Sequence, residues 1–132
     1  ESVRPMPAVF ERTWVENLDG PNVKKGNSKM DLAEALVKDI EGFRKSSGAT
    51  RAVMVWCGST EVYAQQQPVH ETLAAFEKGL KENSPDIPPS MIYAYAAIAS
   101  GTPYAASTSC AYCPSARWMA SAARRARSAS SS

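Results

Sequence analysis

Cys57, Gly58, Ser59 and Thr60 close the continuously apolar run Ala52-Val53-Met54-Val55-Trp56-Cys57. An apolar run without alternation suits a strand covered on both faces, as in a parallel sheet. Small hydroxyl residues and a glycine at the carboxyl end of such a strand stand where open α/β sheets hold ligands. Glycine lets a ligand approach the backbone closely, and the two hydroxyls supply donors. An ordinary turn uses the same residue types, and composition alone favours the turn.

The other reactive side chains are scattered. His70, the single histidine, has no acidic or cysteine partner at ligand spacing, so it reads as a packing or surface residue. Cys110-Ala111-Tyr112-Cys113 is an isolated CxxC, with Cys57 and His70 far back in the chain. A structural zinc wants four ligands, and a redox CxxC wants a thiolate-stabilising helix start that Pro114 does not suit. The motif is read as coincidence, and no metal is expected. Glu61 and Asp86 are acids that nothing pairs. Neither a Gly-x-Gly-x-x-Gly loop, a Walker loop nor a His-Glu-x-x-His pair occurs.

Helices must flank the strand-end loop. Ser28 and Asp31 have capping-box spacing, and Leu32, Leu36, Val37, Ile40 and Phe43 behind them recur at helical spacing. Gly48 is the expected stop. Val69, Leu73, Phe76 and Leu80 form a second apolar stripe, with Gly79 weakening its end. Pro89 and Ser90 open a third helix, Met91 to Ala99, closed by Gly101. Tyr93 and Tyr95 cannot share one face of it. Pro103-Tyr104-Ala105 reads as a second short strand, and two such strands are only part of an α/β sheet. Pro5 and Pro7 hold the entry extended.

A chain of 132 residues with 44% apolar and 21% charged side chains has the composition of one folded domain. It contains no run of about eighteen apolar residues, the length a membrane-spanning helix needs. Nothing at the start resembles a signal or transit segment, and a first residue Glu1 suggests processing or a fragment. The net charge of +2 divides unevenly. Residues 106–132 carry four arginines and no acid, while residues 1–105 carry 11 basic against 13 acidic side chains. Eight of those last 27 residues are serine and eight alanine, a composition that buries little apolar area. The expected division is therefore a body, 1–105, and a low-complexity Ser/Ala/Arg-rich tail, 106–132. Charge alone supports nucleic-acid binding by the tail, and that reading ranks last.

Linked motifs across the body resemble the myo-inositol-1-phosphate synthase (inositol-3-phosphate synthase) family, especially its bacterial-type members. They are Arg4-Pro5-Met6-Pro7, the segment from Leu18 to Gly26, Val55 to Tyr63, His70 to Leu80, and Pro89-Ser90-Met91-Ile92-Tyr93-Ala94. The resemblance covers roughly residues 4–105. It implies an α/β fold that is part of a Rossmann-like NAD-binding domain, a parallel sheet with flanking helices, here incomplete. It implies NAD as cofactor and glucose 6-phosphate isomerisation to inositol phosphate as the family's reaction. It also assigns Cys57, Gly58, Ser59 and Thr60 to the loop that contacts NAD, which moves that loop from turn to cofactor contact. The family's glycine-rich loop would lie upstream of Glu1. Its Asn-Gly segment and its lysine-bearing catalytic motif find no match after Ala105, and no lysine follows Lys81.

The expectation is a fragment or derivative of the synthase, without catalytic residues of its own and without turnover alone. A frameshift, an alternative exon or a truncated copy would explain the abrupt change of composition. The alternative is a non-enzymatic structural subunit of a larger assembly. Partners are expected to be protein subunits, as a homo-oligomer or a hetero-complex. The resemblance implies a cytoplasmic location, with an organellar complex as the other setting.

Overall fold

The computed structural model describes residues 6–10, 22–57 and 65–106. The order of elements is helix α1 (Lys29–Ser47), strand β1 (Met54–Trp56), a 3-10 turn (Pro68–His70), helices α2 (Leu73–Lys81) and α3 (Pro89–Ala99), and strand β2 (Tyr104–Ala106). The strands pair in parallel, with Met54 opposite Tyr104, Val55 opposite Ala105 and Trp56 opposite Ala106. A parallel pair requires a crossover, and the 3-10 turn, α2 and α3 form it. Before α1, Ala8 bridges Val23 in parallel: the Ala8 N–H donates to the Asn22 carbonyl (3.0 Å) and the Lys24 N–H to the Ala8 carbonyl (2.7 Å).

Helix α1 begins and ends where its sequence signals lie. Ser28 Oγ accepts from the Asp31 N–H (3.1 Å), and Asp31 Oδ2 accepts from the Ser28 N–H (3.2 Å), a reciprocal cap. Gly48 ends the helix at φ +64°, a left-handed conformation that glycine adopts without a Cβ penalty. The inward face is displaced from the expected stripe. Lys29, Ala33, Leu36 and Ile40 are buried, whereas Phe43 is 59% exposed. The helix lies chiefly against α3, and residues 41–47 of its last turns are exposed.

Helix α3 starts with Pro89 as its first helical residue. Its end is a Schellman closure: Thr102 N–H donates to the Ala97 carbonyl (2.8 Å) and Gly101 N–H to Ile98 (3.0 Å), with Gly101 at φ +70°. Helix α2 is shorter than its apolar stripe. Thr72 Oγ1 accepts from the Ala75 N–H (3.1 Å) and sets the start at Leu73, leaving Val69 in the preceding turn. Gly79 is buried, and a Cβ there would overlap Val69 Cγ2 and come within 3.0 Å of Ile87 Cδ1. It is a packing requirement, where sequence alone suggests only a weak helix end.

The core gathers Val9, Leu36, Ile40, Phe76, Leu80, Ile87 and Ile92 between the three helices. One expectation about β1 is corrected. From Val53, just before the strand, to Trp56 burial alternates: Trp56 is buried and Met54 half-buried toward the core, while Val53 and Val55 are each 61% exposed. Among the described residues the helices cover one face of the strand pair. No helix among them is long and apolar enough to cross a membrane.

Candidate functional site

The site of interest is the carboxyl edge of β1. Cys57 follows Trp56 directly and is exposed. Gly58, Ser59 and Thr60 lie outside the described residues, as do Glu61, Cys110 and Cys113. The strand end is set from below by aromatic packing. The Trp56 ring lies 5.1 Å from Tyr93 and 6.3 Å from Phe10, centroid to centroid, both tilted. Tyr93 accepts the Val9 N–H on its hydroxyl (2.9 Å), and burial pushes its phenol pKa up. Tyr95, two residues on, points instead to α2 and donates to Glu77 Oε1 (3.1 Å). Desolvation, reinforced by the Glu77 carboxylate, pushes its pKa up to about 12. The two tyrosines therefore serve different faces, as their spacing requires.

The described residues resume at Gln65 and enter the 3-10 turn. His70 is 1% exposed there. Its Nδ1 accepts from the Gln67 N–H (3.1 Å), its own N–H donates to the Gln67 carbonyl (2.9 Å), and its Nε2 donates to the Asp86 carbonyl (2.9 Å). His70 is thus a packing residue, and Asp86 contributes its backbone oxygen.

Two polar residues that sequence reasoning missed organise the connection between α2 and α3. Buried Lys29 donates from Nζ to the carbonyls of Ser84 and Ile87, 2.8 Å each. Asn83, at φ +56°, accepts the Lys29 N–H on Oδ1 (2.7 Å) and donates from Nδ2 to the Asn27 carbonyl (3.1 Å). The available signal was the spacing of Lys29 with Ala33, Leu36 and Ile40, which places it on the buried face.

An apolar cavity of about 280 Å³ opens at the other end of β1, lined by Met6, Leu36, Ile40, Phe43, Val53 and Tyr93 among others. Asp39 at its wall pairs with Lys24 at 2.7 Å. Among the described residues no cluster of histidine, cysteine and carboxylate side chains is built to hold a metal.

The carboxyl end of a parallel strand is the position at which α/β sheets take nucleotides, and Cys57, which follows β1, is exposed. The family model described as myo-inositol-1-phosphate synthase, an NAD-binding domain, matches residues 1–128. The chain belongs to this family. Inositol-3-phosphate synthase 1 of Bacteroides thetaiotaomicron is 41% identical over 105 residues, covering 79% of this chain and 24% of the relative. The synthase of Drosophila melanogaster is 30% identical over 106 residues, 77% of this chain and 19% of its own length. The chain thus spans about a quarter or less of these synthases. The solved inositol-3-phosphate synthase of Caenorhabditis elegans superposes with a TM-score of 0.70 at 23% identity, over 76% of this chain and 20% of that one. That likeness concerns the fold: the strand pair and its helices are part of the NAD-binding domain.

Proposed function

We propose that this chain supplies the later part of the NAD-binding domain of an inositol phosphate synthase and contacts NAD through Cys57, Gly58, Ser59 and Thr60. The observation that carries the reading is the exposed carboxyl end of β1 in a chain of this family. NAD, when bound, would take up and return the hydride in the conversion of glucose 6-phosphate to inositol phosphate. The residues of this chain hold and orient it: Gly58 admits close approach to the backbone, and the Ser59 and Thr60 hydroxyls donate to it. With no lysine after Lys81 to stabilise developing charge, this chain alone is expected not to turn substrate over. The body of residues 1–105 carries the role, and the break in charge and composition supports a separate tail, 106–132. A cytoplasmic setting accords with this reading.

Calorimetric titration with NAD tests it. Saturable binding that Ser59→Tyr abolishes is the expected result, and no heat of binding at millimolar NAD overturns it.

The open face of β1 favours a second reading, a packing role within a larger assembly. Val53 and Val55 are each 61% exposed, and parallel strands are ordinarily covered on both faces. A monomer that unfolds in one cooperative transition at every concentration counts against that reading.

A further inference from the structure

We propose that the open face of the strand pair is the docking site for this chain's own carboxyl-terminal segment, residues 115–127, which folds back onto it as a helix. This packing does not depend on NAD, and it puts the chain's own tail where a partner subunit would otherwise sit.

The face is apolar across both strands. Val53 and Val55 stand two residues apart, each 61% exposed, and so point to one side of the pair. The parallel register places Ala105 beside Val55, and the Met54 N–H, donating to the Pro103 carbonyl (2.9 Å), carries that register back to Val53 and Pro103. Pro103 and Ala105 are exposed as well. Four uncharged side chains therefore make one continuous surface on neighbouring parallel strands, a surface that such strands ordinarily bury.

The chain runs on from the end of β2 at Ala106 with residues 107–132, which lie outside the described residues. Their sequence has the complementary pattern. At helical spacing Trp118, Met119, Ala122, Ala123 and Ala126 share one face, and Arg117, Ser121 and Arg124 share the opposite one. Ser115 stands where an N-cap belongs, and alanine is the strongest helix former. A helix over 115–127 would be about 20 Å long, enough to cross two strands of about 10 Å each. Residues 107–114 reach about 25 Å when extended, more than the return along β2 requires. A helix this short is marginal in water by itself, so it needs a surface for its apolar face. The small alanines admit close approach to the sheet, Trp118 and Met119 supply the area to bury, and the arginines stay in solvent.

Amide hydrogen exchange on the full chain tests the docking. Amides 116–126 should be protected in the wild type. Val55→Glu, at a side chain already 61% exposed, should quicken their exchange about tenfold while α1 keeps its rate. Unprotected amides in the wild type, or protection that Val55→Glu leaves unchanged, overturns the proposal. A cysteine pair reads the contact directly, with Cys57, Cys110 and Cys113 changed to serine. Val55→Cys with Ala122→Cys should oxidise to a disulfide within one chain, faster than Val55→Cys with Arg124→Cys on the opposite helix face. Equal rates for the two pairs overturn the proposal. So does a disulfide formed only between two chains, which would place a second copy on this face.

Discussion

Lys29 Nζ lies 2.8 Å from the carbonyl oxygen of Ile87, a residue 58 positions away. The first turn of α1 thereby holds the entrance to α3. A buried ammonium is tolerated only where hydrogen bonds replace its water, and the carbonyls of Ser84 and Ile87 do so. Lys29→Met fills similar volume but leaves both oxygens without this donor. The expected loss is about 2–4 kcal/mol of unfolding free energy, read from urea denaturation.

Gly79 and Val69 touch where no Cβ fits. Gly79→Ala gains about 1 kcal/mol of helix propensity and loses about 1–3 kcal/mol to overpacking, because a branched valine cannot move aside. The net effect should be destabilising. In a double-mutant cycle, adding Val69→Ala should recover more than the two single changes predict. Simple additivity would show that the two residues are not coupled.

Tyr93 supplies the acceptor for the buried Val9 N–H at 2.9 Å. Tyr93→Phe keeps the ring against Trp56 and removes only that acceptor. Thermal unfolding should report a loss of about 1–2 kcal/mol. A loss well above that would place the contribution in the ring packing.

Tyr95 makes stability depend on alkaline pH. Its folded pKa is raised from 10.0 to about 12 by desolvation and then by Glu77. Between these values the folded state keeps the phenolic proton that the unfolded state has lost, so stability falls as pH rises. Urea midpoints across this range should decline more steeply in the wild type than in Tyr95→Phe. Parallel declines would remove Tyr95 as the source.

Much of the architecture could be read from residue types. The capping pair Ser28 and Asp31, the stop at Gly48 and the closure at Gly101 act within a few residues, where backbone geometry is decided locally. The apolar period runs back to Val69, but Thr72 caps the helix and α2 begins at Leu73. For Cys57 through Thr60, residue types alone favour a turn, and the family likeness is what implies a cofactor contact. The structure describes Cys57 there, exposed at the strand end. For His70 the sequence leaves packing and surface roles open; the structure buries it, with backbone partners at Gln67 and Asp86 that carry no residue-specific signal.

The amino-acid sequence by itself determined the family and the order of helices and strands, because each depends on local spacing or on a chain of linked motifs. Tertiary structure alone decided that Lys29 is buried, that Gly79 is a contact rather than a weakness, and that Val55 of β1 and the preceding Val53 face outward. Those outcomes depend on which surfaces meet across tens of residues. An apolar side chain is equally suited to a covered face and an open one until its neighbours are in place.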